Sequence, residues 1–490
     1  EGRTGAHASM QPTWETRYSQ RRNGAGRLKV VHLLKRGKCP AIRNIMRLVR
    51  EFMCLAKELS LNIRSFTTPP SSPMSSKPKA GFDLAQLAAQ LEGTRVKRSG
   101  DGPAFGGFDF DDLRTVFLTA IDWDESLSDY EQERIATKSI FEAASEGVLT
   151  KDSLLRALKK VESQRLSSPE QDYLVVFSLS VKYTAALRPV TVNGVRFRFH
   201  SKLPKTIERG LLHSATVSGH AVSQIEIPEA YVVACAHVTA KTPHNAHLRA
   251  HAAIEVLRSI WNYILHRGAL RIWLNGSASW EPISTIRRGP TETLHLSNGK
   301  LVSPDWWCDP YYFAQNPANI SNDWPKIQKS ANKCLRWTNA LPYADDMDIA
   351  WIRYVRALDD TGAEGCFLKL WSLLEYLTAT KSATYEELIR RTLFTCRKRE
   401  LHQLVLEHLR QRRNALVHLD DGTSAVTQHV FQLKRYVDEL IRLHLVLRGR
   451  FRTMSEVGEF FSLPADPAML QQRMKVFSQA VSFRKRTLVP

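Results

Sequence analysis

The chain has 490 residues, 43% hydrophobic and 9% aromatic, too many for one ordinary core and apolar enough for roughly two or three folded units. Its formal charge of +20 is uneven: residues 1–80 carry 16 Lys and Arg against 4 Asp and Glu, leaving only +8 for the other 410 residues. These figures exclude a disordered polyelectrolyte. A membrane-spanning segment is excluded by the lack of any apolar run of about eighteen residues, and a disulfide scaffold by seven scattered cysteines without a CxxC pair.

Residues 1–80 read as a basic, disordered or non-native extension. Within it, "AIRNIMRLVREFMCLAKELSLN" at 41–62 places Ile42, Ile45, Met46, Val49 and Phe52 on one face of a basic amphipathic helix. That pattern suits an arm for RNA or a membrane surface. It equally suits sequence upstream of a reading frame that starts at Met74, and "TTPPSSPMSSKPK" at 67–79 has the composition of a linker. The N-terminus lacks a compact apolar stretch followed by a small-residue cleavage site. Together with thiols expected to be reduced, this points to the cytoplasm.

From 108 to 166 the spacing is helical, with "LRTVFLTAI", "RIATKSIFEAA" and "SLLRALKKV" as amphipathic pieces. "GDGPAFGGFDFDD", at 100–112, lacks phosphate-loop order and reads as a linker. Residues 167–310 change to an α+β pattern. "YLVVFSLSV", "VTVNGVRFRF", "QIEIP", "YVVACAHV", "LRIWLN" and "LHLSNGKLVS" are strand-like, and the Asn-Gly pairs predict two hairpins. One helix interrupts them, opened by Thr242 and Pro243, with Ala246, Ala250, Ala253, Leu257, Trp261 and Ile264 on one face. His244, His247 and His251 form a stripe on it, with His237 in the strand before. The glutamate of HExxH is absent, so the stripe reads as a polar flank and no metal site is expected.

Residues 311–344 read as a connector. "SPDWWCDPYYF", just before it, offers aromatic rings for base stacking or for packing. From 345 to 450 the pattern is entirely helical, followed by a helical tail at 451–490. Met347, Trp351, Val355 and Leu358 mark one helix, and Phe367, Leu370, Trp371, Leu374 and Leu377 the next. Thr384 and Glu387 form a capping box. A fourth helix runs from about Glu400 to His418, ending near Gly422, and Val426, Val430, Leu433, Val437 and Leu440 define a fifth. The predicted fold is a multidomain α+β protein with antiparallel hairpins in the middle and an all-α bundle at the C-terminus.

On the fourth helix Val405, Leu406, Leu409 and Leu416 form the buried stripe. Arg413 lies about 40° from Leu409, between it and Leu406. A guanidinium there needs a carboxylate or a phosphate, and Glu375 is a candidate intramolecular partner.

"RNALVH", at 413–418, fits the R-x(4–6)-H signature of the HEPN superfamily, and "YVRALDDTGAEGCFLKLWSLLEYL" resembles the lead-in helices of its ApeA-like branch. The resemblance covers about 345–450. It implies a metal-independent endoribonuclease without cofactors, working as a homodimer whose facing motifs build one site from Arg413, Asn414 and His418. A prokaryotic defence or toxin-like setting is implied too, with RNA as substrate and a possible inhibitory protein partner. The chemistry agrees: attack by a ribose 2′-OH needs a proton acceptor, a proton donor and positive charge on the phosphorane. Histidine titrates near neutrality, and arginine grips two phosphate oxygens. Arg397, Lys398, Arg399, Arg410 and Arg412 add cationic charge for an RNA backbone. On a straight helix Arg413 and His418 point about 140° apart, so either the helix loosens near Gly422 or the pair is assembled across a dimer. The alternative is a non-catalytic module of the same shape that binds RNA, nucleotide or protein.

Overall fold

The computed structural model describes residues 76–96, 102–124, 127, 129–210, 227–267, 280–302, 307–308, 312, 314–380, 384–418 and 426–487. The basic arm at 41–62, the "LRIWLN" strand, most of "QIEIP" and "SPDWWCDPYYF", and Gly422 lie outside them. The chain divides into a body, Pro70–Gln471, and a second unit of which 472–487 are described.

The body opens with helices on a core of their own. These are α1 (Leu84–Gly93), α2 (Phe108–Thr119), α3 (Asp129–Ser145) and α4 (Lys151–Leu166), with two short pairings, β1 (Lys77–Pro78) to β4 (Ile121–Asp122) and β2 (Arg95–Val96) to β3 (Ala104–Phe105). Leu91, Phe117, Ile140 and Leu154 are fully buried among them. The linker expected at 100–112 is corrected here: Ala104–Phe105 is a strand, and α2 starts at Phe108 with Asp109 and Asp111 in its first turn, where carboxylates favour the helix dipole.

Six antiparallel strands follow, β5 (Gln171–Leu179), β6 (Val190–Val192), β7 (Val195–His200), β8 (Val232–Ala240), β9 (Thr291–Leu296) and β10 (Trp307–Cys308). Their order is β10-β9-β5-β8-β7-β6. Both Asn-Gly hairpins form. Asn193 and Gly194 have φ of 50° and 78°, the left-handed pair that a two-residue turn between β6 and β7 requires. Gly299 has φ of 87°, and a Cβ there would meet the Thr206 carbonyl oxygen at 2.9 Å.

Helix α5 (Pro243–His266) crosses one face of this sheet, capped by the Thr242 hydroxyl, which accepts from the Asn245 N–H at 3.3 Å. Its other side is covered by α6 (Trp324–Asn339) and α7 (Ala344–Leu358). The span read as a connector therefore contains a helix. It was hidden by Pro325 near the start and by a narrow apolar stripe of Ile327, Ala331 and Leu335. The remaining elements are α8 (Ala363–Leu377), α9 (Tyr385–Thr392), α10 (Arg399–His418), α11 (Val426–Val446), α12 (Met454–Phe461) and α13 (Pro467–Thr487). Helices α7 and α11 pack on α8, and α10 packs on α8 and α9. No helix among the described residues is long and apolar enough to cross a membrane.

Sheet, α5 and the C-terminal helices share one core, which runs without a break from Tyr173 to Phe461. Trp261 of α5 meets Trp324 of α6 with ring centroids 5.1 Å apart, and Tyr263 meets Trp351 of α7 at 5.4 Å. A polar node sits within it. Asp438 accepts from the Tyr354 hydroxyl and from Lys434, both at 2.7 Å, and Lys434 also donates to the His266 carbonyl at 3.0 Å.

Two further imidazoles are wholly buried. His444 lies 2.9 Å from the Leu377 carbonyl and His295 lies 3.0 Å from that of Gly299, and burial pulls both down to about 4. The unfolded chain takes up these protons below about 6.5 while the folded chain refuses them until about 4, so stability is complete above 6.5 and lost as pH falls through that window. Urea midpoints should fall between pH 7 and pH 5, as the unfolding free energy drops by on the order of 1.4 kcal/mol per pH unit for each histidine once well below 6.5. Flat midpoints would mean that these imidazoles protonate inside the fold.

Candidate functional site

Helix α10 runs unbroken to His418, and Gly422, near which loosening was one of the two alternatives, lies outside the described residues. Leu406 and Leu409 are fully buried and Val405 and Leu416 partly so, as the periodicity predicts. Arg413 beside them is half-buried rather than enclosed. Its guanidinium donates to Asn414 Oδ1 at 3.3 Å and sits 5.8 Å from the Tyr385 ring centroid. Arg410 lies against the same ring at 5.8 Å and pairs with Glu407 at 3.0 Å and Glu386 at 3.8 Å.

Glu375 does not pair with Arg413. Its Oε1 accepts from the Trp371 indole at 2.8 Å, and Trp371 in turn packs on Tyr385. Indole, phenol ring and two arginines thus form one cluster, in which Arg413 lies beside an aromatic ring where a carboxylate or a phosphate was expected. Arg397 and Lys398 are exposed in the turn before α10, Arg399 begins the helix, and Arg412 is half-buried on it. Arg391, from the same basic stretch, is structural. It pairs with Glu387 at 2.6 Å and donates to the Thr378 and Ala379 carbonyls at the end of α8. That explains why only half of the expected capping box forms. The Thr384 hydroxyl accepts from the Glu387 N–H at 3.4 Å, while the Glu387 carboxylate turns to arginine.

A second constellation was missed in the sequence. The histidine stripe read as a polar flank is the start of a seam, His247, His251, Glu255, Arg258 and Asn262, along the face of α5 that meets residues 284–292. Strand alternation puts Glu292 on the same side of β9 as Leu294, under α5. Its Oε2 lies 2.7 Å from His247 Nε2 and 3.2 Å from His251 Nδ1. Arg288 pairs with the other oxygen of Glu292 and, at 2.8 Å, with Glu255. Arg258, 1% exposed, binds Glu255 at 2.8 Å, Asp359 at 2.7 Å and the Ile286 carbonyl at 3.1 Å. Asn262 closes the seam by accepting from the N–H groups of Thr285 and Ile286 at 2.9 and 3.0 Å.

Burial holds His247 down at about 3 and His251 at about 4, with Arg288 adding to the effect on both. Arg258 and Arg288 keep the Glu255 carboxyl at about 2 against its burial. Beside the seam is a cavity of about 560 Å³, lined by Glu255, Arg288, Arg353, Arg356, Asp359 and Lys369. His244 departs from the stripe and stacks on Tyr130 of α3, and His237 points out from the exposed side of β8.

The i, i+4 histidines were visible in the sequence. Their carboxylate partner was not, because it comes from a strand 41 residues beyond His251 rather than from the helix. Comparison of the chain with family models, curated proteins and solved structures finds no match.

The seam makes a sharp prediction. Arg258→Met fills the space but leaves Glu255 and Asp359 without their shared cation, so it should destabilise the fold by roughly 3–5 kcal/mol, measured by urea denaturation. A loss under about 1 kcal/mol would show that the charges find other partners.

Proposed function

We propose that this chain is a metal-independent endoribonuclease of the HEPN type, which cleaves RNA by attack of the ribose 2′-OH. One observation carries the reading. Among the described residues Arg413 is a half-buried guanidinium with no carboxylate partner, held beside Asn414 in the helix that ends at His418. Ring stacking leaves guanidinium N–H groups for a phosphate, which they match in a planar fork. Arg413 neutralises the phosphorane, Asn414 orients the arginine or the ribose, and His418 exchanges the proton.

On one continuous helix Arg413 and His418 are about 140° apart, so the working pair is built across a homodimer. Leu401 and Leu404, 53% and 70% exposed, give α10 an apolar outer edge for a second copy to cover. Arg397, Lys398, Arg399 and Arg412 extend the cationic surface for the RNA backbone. The C-terminal helices are the HEPN-like part in this reading, with the α+β region restraining or triggering it. The setting is a cytoplasmic defence or toxin-like response, in which an inhibitory partner protein has a place. Cys235, Cys334, Cys366 and Cys396 are free thiols, in keeping with a reducing compartment.

Full-length protein should cut labelled tRNA or single-stranded RNA in EDTA and leave a 2′,3′-cyclic phosphate. Arg413→Ala and His418→Ala should each lose about a hundredfold or more in rate, and Arg413→Lys should not restore it. Folded protein that binds these RNAs without cutting them would replace the nuclease with a binding module of the same shape.

A further inference from the structure

The histidine end of the α5 seam has no part in RNA cleavage, and its own chemistry stands whether or not the chain is a nuclease. We propose that His247, His251 and Glu292 bind one divalent transition-metal ion of the zinc class. Their three donor atoms, from two elements, all lie within 4.8 Å of one another, and both imidazoles address the same carboxylate oxygen. Zinc bonds of about 2.0–2.2 Å in a tetrahedron set neighbouring donors a little over 3 Å apart. Those edges are about 3.4 Å, so the 3.2 Å from His251 lies close to the requirement and the 2.7 Å from His247 has to open by about 0.7 Å.

Two properties of the surroundings favour the ion. Arg288 holds the other oxygen of Glu292 and aims Oε2 at the histidines, the part an outer partner plays for a ligating carboxylate. The His251 side chain keeps 23% of its surface exposed, which gives an ion access to the site from outside. Imidazole donors select zinc, cobalt or nickel over magnesium or calcium. Three protein donors leave a fourth position for water or an anion.

The competing account is that the same three side chains form a hydrogen-bonded relay and nothing more. The test uses full-length protein stripped with chelator, without RNA, and titrated with Co²⁺ or with Zn²⁺ against a chromophoric competitor. One equivalent should bind, with visible cobalt d–d bands, and His251→Gln should weaken that equivalent at least tenfold while circular dichroism stays native. His251→Cys should bind cobalt with a new thiolate charge-transfer band in the near ultraviolet, which places the ion on residue 251 even if the glutamine variant folds poorly. Folded wild-type protein that binds no equivalent sensitive to residue 251, or a cysteine variant without the new band, overturns the proposal and leaves the relay.

Discussion

A guanidinium buried to within 1% of its surface is the constraint around which this molecule is arranged. Arg258 can stay charged there only because three elements bring it acceptors. Glu255 comes from its own helix, the Ile286 carbonyl from the segment leading into β9, and Asp359 from the end of α7. Removing a single partner strands charge in a low-dielectric interior, which costs more than the intact network contributes. The arrangement therefore specifies how α5, the sheet and the C-terminal helices meet, beyond what apolar packing alone would fix.

From that point the chain leads along α8 to the α10 cluster. Asp359 and Asp360 close α7, and Asp360 Oδ1 accepts from the Gly362 N–H at 2.8 Å where α8 begins. A little over two turns further on, α8 presents Trp371, held by Glu375. Trp371 supports Tyr385, on which Arg410 and Arg413 rest. The Tyr385 ring gives the arginine-rich part of α10 a surface to rest on beside an otherwise apolar bundle.

Local patterns were legible in the sequence where one short stretch decides the outcome. The continuous apolar runs of β5 and β8, the alternation of β7, the Asn-Gly turns, the Thr242 cap and the leucine stripe of α10 are of this kind. Arg413 was expected to meet a carboxylate or a phosphate, with Glu375 as one candidate, and the group found beside it is the Tyr385 ring. Features set by distant pairing were not legible. Nothing local says that β9 lies beside β5, so nothing announced that Glu292 would face His247 and His251. The polar face of α5 has the composition of a solvated flank, and it is buried because charges on three other segments complete it. Reading 167–310 and 345–450 as separate domains followed the change of periodicity, whereas Trp261, Trp324 and Trp351 belong to one core.

The claim that this shared core and its arginine hold the molecule together is tested most directly by native-state hydrogen exchange across a denaturant series. Amides of α5, β5, α8 and α11 should converge on one opening free energy and merge into a single cooperative unit. If α8 and α11 stayed protected at denaturant concentrations that already expose β5 and α5, the C-terminal helices would be a domain of their own, and Arg258 a local contact rather than the joint of the structure.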